Sequence, residues 1–142
     1  MINSLIEACI KFSVSLNIAC PKDYQPNEAL ISMIKKQKGK IKIFNNKEKA
    51  VKNSDVVMTD KIISLNDKVN KKRKLKSFKN FKVDTKTMNL AKKDAIFLHC
   101  LPRGSEVTEE VFLGKQSKVW QQALNRVYVQ KSILLYCFGK LR

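Results

Sequence analysis

One apolar run, ended abruptly by proline, limits what this chain can fold into. Ala95-Ile96-Phe97-Leu98 leads into the only histidine, His99, and then Cys100; Leu101-Pro102 ends the run, and Arg103-Gly104 follow. A short apolar run stopped by proline reads as a buried strand emptying into a loop. In open α/β sheets, ligands bind outside the carboxyl ends of the strands. His99 and Cys100 therefore stand where chemistry is usually done. Position alone fits a plainer reading equally well: free cysteine is among the most buried residue types, and the two residues could simply finish a strand.

The rest of the chain alternates. Leu5, Ile6, Cys9, Ile10 and Val14 follow Asn3-Ser4 at helical spacing, so the chain opens with a helix of roughly four turns. Ile18-Ala19-Cys20 reads as a strand stopped by Pro21. Pro26 begins a helix with Ala29, Leu30, Met33 and Ile34 on its apolar face, and Gly39 ends it. Ile41, Ile43 and Phe44 form a strand, 47–53 a short helix, and Asp55-Val56-Val57-Met58 another strand ending at Thr59-Asp60. Phe78, Phe81 and Val83 rejoin the core, and Asp84 caps a short helix carrying Met88, Leu90 and Ala91. Thr108-Glu109-Glu110 caps a further turn, and a long helix runs from about Trp120 to Phe138, closed by Gly139. Ala123, Val127, Ile133, Leu134 and Cys137 supply much of its apolar surface.

This order predicts an α/β fold, a Rossmann-like parallel sheet with helices on both faces, in a single domain over residues 1–142. It lacks one part. A doubly wound domain begins with a strand, central in the common strand orders, and this chain begins with a helix. Without that strand two inner edges stay unpaired and the core has a gap, which is costly for buried backbone groups. Either the sheet is rearranged or the chain is one piece of something larger.

Composition narrows the function classes. The net charge is +17, and all but four of the 29 basic residues (Arg73, Arg103, Arg126 and Arg142) are lysine. Such a balance raises a nucleic-acid or polyanion-binding hypothesis. Arginine, the residue of bidentate phosphate and guanine contacts, is scarce, and the lysines are spread through every segment. The dense run over residues 68–76 reads first as a solvated helix. An acidic small-molecule substrate fits the charge as well. Four cysteines (Cys9, Cys20, Cys100, Cys137) form no C-x-x-C pair, and with one histidine a zinc site is not expected. Cys9, Cys20 and Cys137 read as core fillers in a reducing compartment. No signal peptide or membrane span is evident, so the expected location is cytoplasmic. No G-x-G-x-x-G or P-loop marks a nucleotide.

The residues from Phe97 to Gly104, followed by Glu106-Val107-Thr108-Glu109-Glu110-Val111-Phe112, closely resemble the signature of ornithine carbamoyltransferases. Asp55-Val56-Val57-Met58-Thr59-Asp60 with Ser64-Leu65-Asn66 resembles the family's T-D-x-W-x-S-M-G stretch. Ala123-Leu124-Asn125-Arg126 resembles A-E-N-R, and Gln130-Lys131-Ser132-Ile133-Leu134 resembles Q-K-A-I-L. Asn3-Ser4-Leu5 matches the helix that follows the family's paired asparagines. Cys100 separates this signature from that of aspartate carbamoyltransferases, which carry proline there.

The resemblance implies transfer of a carbamoyl group from carbamoyl phosphate to ornithine, giving citrulline and phosphate in arginine biosynthesis, without metal or organic cofactor. It implies homotrimers, with sites shared between subunits. It covers only the family's C-terminal, ornithine-binding domain. The S-x-R-T phosphate loop and the G-D-x-x-N-N strand end do not occur in these 142 residues. The expectation is an ornithine-binding half, completed by a separate carbamoyl-phosphate domain and silent alone. By resemblance, Asp60 pairs with the ornithine ammonium, while Ser64 and the backbone near Leu65 hold its amino-acid end. Cys100 lies beside the attacking amine, with no covalent role implied. The backbone at Cys100 and Leu101, with Arg126, binds the carbamoyl oxygen as charge builds there, and His99 supports it. Three departures stand out: Ile62 or its neighbour replaces the family tryptophan, Leu65-Asn66 replaces Met-Gly, and Leu124 replaces glutamate.

Overall fold

The computed structural model describes residues 1–36, 40–63 and 70–140. The expectations for Gly39, Ser64 and Leu65 lie outside the described residues. The chain runs α1 (Ile2–Lys11), β1 (Leu16–Ala19), α2 (Glu28–Lys35), β2 (Ile41–Phe44), α3 (Lys47–Val51), β3 (Val56–Thr59), α4 (Lys71–Phe78), α5 (Thr85–Met88), β4 (Ile96–His99), α6 (Glu109–Leu113) and α7 (Val119–Cys137). The predicted order is present, with ends displaced by a residue or two. Two ends moved for clear local reasons. α1 stops at Lys11 and is nearer three turns than four, because Ser13 takes a positive φ of 55° that breaks the helix. α2 begins after Asn27, whose side chain accepts from the Leu30 N–H at 3.0 Å, so asparagine rather than Pro26 sets its start.

All strand pairing is parallel, but it forms two sheets instead of one. β1 pairs with β2 (Leu16 opposite Ile41 through Ala19 opposite Phe44), and β3 with β4 (Val56 opposite Ile96 through Thr59 opposite His99). Among the described residues nothing joins β1 to β3. This is the architecture expected of a Rossmann-like sheet lacking its central strand.

Each pair has its own core. Ile6, Cys9, Ile18, Cys20, Leu30, Ile34 and Ile41 pack between α1, α2 and the first sheet. Val57, Val83, Met88, Phe97, Val107, Val111, Phe112 and Val119 pack around the second. Burying a side chain such as Ile6 or Phe97 contributes about 2 kcal/mol, so either cluster is a substantial hydrophobic core. α3 ties the halves together. Its Ala50 carbonyl accepts from Asn17 Nδ2 on β1 at 2.9 Å, and Val51 packs against the second core.

Two expectations about packing are corrected. Phe78 and Phe81 are only half-buried; they form a separate aromatic cluster with Tyr24, whose ring centroid is 5.0 Å from that of Phe78. Cys137 is exposed, as are Val127, Ile133 and Leu134. α7 is held by its first turn, where Val119 is fully buried, and beyond Ala123 it runs through solvent. No described helix is long and apolar enough to cross a membrane.

Candidate active site

The in-register pairing of Thr59 with His99 puts two strand ends side by side, so the residues that follow them, Asp60 and Cys100, become neighbours. The Cys100 thiol donates to Asp60 Oδ1 at 3.3 Å, and the same oxygen accepts from the Lys61 N–H at 2.8 Å. Burial pushes the Cys100 thiol above its ordinary range. The Lys61 N–H pulls it back, and the Asp60 and Glu106 carboxylates push it further up. At neutral pH Cys100 is therefore a thiol, which suits a hydrogen-bond donor rather than a nucleophile. Asp60 is exposed, leaving its carboxylate open to a cation.

Beneath this pair lies a buried polar network. His99 Nδ1 is 2.9 Å from both the hydroxyl and the carbonyl of Thr59. Glu106 Oε1 lies 3.0 Å from His99 Nε2, off the line of a straight hydrogen bond, and accepts from the Gly104 N–H at 2.6 Å. Glu106 thus ties both ends of the 99–104 loop, which contains a cis Leu101-Pro102 bond. A Cβ at 104 would sit 2.6 Å from Glu106 Oε2, so a side chain there would push the Glu106 carboxylate out of its place. The His99 ring is also walled by Phe97 and Phe112, and Arg103 lies over Phe112. Arg103 is further held by the Val107 carbonyl and Glu109.

α7 reaches the site through Gln122, whose Oε1 accepts from the His99 N–H at 3.0 Å. Arg126 follows one turn later on the same helical face and is exposed. The structure thus joins Asp60 and Cys100 directly, sets the buried His99 in the network beneath them, and leaves Leu101 exposed at the loop's crest. It places Arg126 on the helix anchored to His99, without a bond to the other three among the described residues.

Thr59, Glu106 and Gln122 were not singled out in the sequence. Thr59 and Glu106 did lie within the signature stretches, which was the available signal; nothing marked Gln122. The basic residues 71–76 lie on α4, which buries no side chain and pairs Arg73 with Asp23 across an exposed 3.9 Å contact. No group of described residues could hold a metal ion.

Residues 1–137 match the family model described as the Asp/Orn binding domain of aspartate/ornithine carbamoyltransferase. The chain is 39% identical over 142 residues to the ornithine carbamoyltransferase of Methanosphaera stadtmanae, and 44% identical over 138 residues to that of Rhodopseudomonas palustris. Each alignment takes in 96% of this chain, but only 47% and 44% of those proteins. Among solved structures it is similar to the anabolic ornithine carbamoyltransferase of Campylobacter jejuni (TM-score 0.88, 37% identity, 99% of this chain and 48% of that one). It is also similar to the enzyme of Pyrococcus furiosus (TM-score 0.85, 34% identity, 99% and 47%). The chain thus spans a little under half the length of these relatives. With its paired strand ends, its cysteine-bearing loop and a family match over nearly every residue, the chain belongs to the aspartate/ornithine carbamoyltransferase family, as that family's amino-acid-binding domain.

Proposed function

We propose that this chain is the ornithine-binding half of an ornithine carbamoyltransferase of arginine biosynthesis. One observation carries the reading: an exposed carboxylate and a protonated thiol meet at the carboxyl ends of two adjacent parallel strands. A carboxylate so placed binds a side-chain ammonium through charge-assisted hydrogen bonds. The ammonium gives one proton to solvent before the neutral amine attacks the carbamoyl carbon; the new C–N bond forms as the C–O bond to phosphate breaks, and the leaving phosphate takes the second proton from nitrogen. Asp60 orients the amine, and Cys100 hydrogen-bonds beside it. The N–H groups at Cys100 and Leu101, together with Arg126, stabilise the charge on the carbamoyl oxygen, as an oxyanion site does. His99 holds the loop that presents them. Ser64 and Leu65 bind the amino-acid end. The donor, carbamoyl phosphate, is gripped by a second domain outside these 142 residues, and the working assembly is a trimer.

Calorimetric titration with ornithine and with norvaline, which lacks only the side-chain amine, tests this. Ornithine is expected to bind more tightly, and Asp60→Asn to remove at least about tenfold of that preference while leaving norvaline unchanged. Equal affinity for the two ligands would overturn the assignment. Given both substrates, the chain alone should make no citrulline.

A further inference from the structure

α4 is built from charges that repel one another. Lys71, Lys72, Arg73, Lys74 and Lys76 are cations, the helix holds no acidic residue, and none of its side chains is buried. Like charges four positions apart, such as Lys72 and Lys76, destabilise a helix, and one this short has little propensity to spare. Local contacts hold it instead. Asn70 accepts from the Arg73 N–H at 3.2 Å, and the Phe78 ring meets Tyr24. Asp23 pairs with Arg73 at 3.9 Å, but both side chains are more than 70% exposed, so this pair contributes little.

Lys72, Lys76 and Lys79 share one outward face. They stand four and three positions apart, Lys79 keeps a helical backbone (φ −51°, ψ −41°), and all three are exposed. Their charges repeat about every 5 to 6 Å along the helix axis. A row of lysines holds successive phosphates as point charges, without the planar fork that reads bases. The scarcity of arginine thus counts against base-specific readout of a duplex and not against a grip on the backbone.

The row ends at a cleft. Lys79 opens the turn Lys79–Phe81, whose Asn80 and Phe81 line a cleft of about 300 Å3. Asn45, Asn46, Lys47 and Glu48 complete the lining, just past the carboxyl end of β2, where open α/β sheets bind ligands. Asn46 Oδ1 is taken by the Lys49 N–H at 2.8 Å. Among the described residues the side-chain amides of Asn45 and Asn80 have no hydrogen-bond partner. Each carries donors and an acceptor, the combination that a base edge pairs with, and Phe81 adds a ring. Lys47 is engaged by the Lys82 carbonyl and Asp84, while Glu48 disfavours a phosphate in the cleft. The cleft therefore suits a neutral base, and the row suits the phosphates.

We propose that this chain binds single-stranded nucleic acid along α4, with phosphates on Lys72, Lys76 and Lys79 and one base in the cleft beside Asn45, Asn80 and Phe81. A single strand is selected over a duplex because only an unpaired base is free to enter. The row and the cleft share no residue with the Asp60–Cys100 pair.

The test is fluorescence anisotropy of a labelled single strand of about twelve nucleotides, enough to pass along one such groove. A duplex of the same length and inorganic polyphosphate serve as rivals. The single strand should bind more tightly than the duplex at low salt, with a log–log salt slope of about −2 for three phosphates. Lys72→Glu/Lys76→Glu should weaken it at least about tenfold and flatten that slope by about 1.4. Lys35→Glu/Lys36→Glu makes the same charge change on exposed residues beside the amino end of β2, and should cost less than about threefold. Asn80→Ala should weaken the single strand at least about threefold and leave polyphosphate unchanged. In the unmodified chain, amide shifts on adding the strand should concentrate at Asn45 and residues 72–81, a readout that needs no variant to fold. No binding at low salt would overturn the proposal. So would a duplex bound as tightly, equal losses from the two lysine pairs, an Asn80→Ala that changes nothing or weakens polyphosphate as much, or shifts that avoid α4 and the cleft.

Discussion

Cys100 is the residue whose chemistry the fold changes most. Its thiol is held up first by burial and then by two carboxylates, with only the Lys61 N–H acting the other way. Removing the Asp60 charge should bring the thiol down toward its ordinary range and raise the thiolate fraction at a given pH. In a Cys137→Ser background, needed because Cys137 is exposed, Asp60→Asn is expected to speed Cys100 alkylation by iodoacetamide at pH 8 at least about twofold. An unchanged or slower rate would separate Cys100 from Asp60. The placing of His99, Cys100 and Asp60 was legible because each stands just past an apolar run, where strand ends deliver residues. The grip on His99 was not. Thr59 meets it across forty positions and Gln122 across twenty-three, partnerships that exist only once sheet register and the docking of α7 are set.

Among the elements, the short helices depend on their first residues. α3, α4 and α5 begin on Asn46, Asn70 and Asp84, whose side chains accept from backbone N–H groups three positions on. Helices this short do not persist on propensity alone. Asp84 is the best tied: Thr87 donates both its hydroxyl (2.7 Å) and its N–H (2.8 Å) to Oδ1, and Lys47 lies 3.9 Å from Oδ2. The Thr87 hydroxyl leads in lowering the Asp84 pKa; the Thr87 N–H and Lys47 add to it against slight burial. The Lys47 pair adds little, because the Asp84 side chain is 41% exposed. Asp84→Ala should cost about 1 kcal/mol in urea unfolding at pH 7. A group with a lowered folded pKa stabilises above its unfolded value and loses that contribution as pH falls through the folded one. The gap between wild type and variant should therefore shrink below about pH 4, and a gap that widened there would contradict the assignment. This cap was legible in the sequence, as was the existence of each strand. The end of α1 was not, since it depends on the positive φ of Ser13, a backbone choice that no side-chain pattern announces.

At the scale of the whole molecule, α7 is the element that its own chain does not explain. Cys137 reads from sequence as core, and Ala123, Val127, Ile133 and Leu134 as apolar surface, yet Cys137, Val127, Ile133 and Leu134 are exposed, together with Leu124, Tyr128, Val129 and Tyr136. Periodicity shows which residues want burial; it cannot show that the covering surface belongs elsewhere. An exposed apolar surface of this extent marks an interaction site. The stripe Val129, Ile133 and Tyr136 recurs at helical spacing, and each of the three is more than half exposed. The double variant Val129→Glu/Ile133→Glu should therefore unfold within about 1 kcal/mol of wild type, as surface changes do. The same variant should suppress the concentration-dependent self-association expected of the unmodified chain in sedimentation equilibrium. A loss of more than about 2 kcal/mol would mean that α7 is packed in the free chain after all, because costs of that size come from buried positions. Wild type that stayed monomeric at its highest attainable concentration would show that the net charge of +17 outweighs the apolar attraction, since like charge keeps proteins apart until salt screens it. Repeating the run at high salt separates the two forces, because screening removes the repulsion and leaves the apolar contact intact.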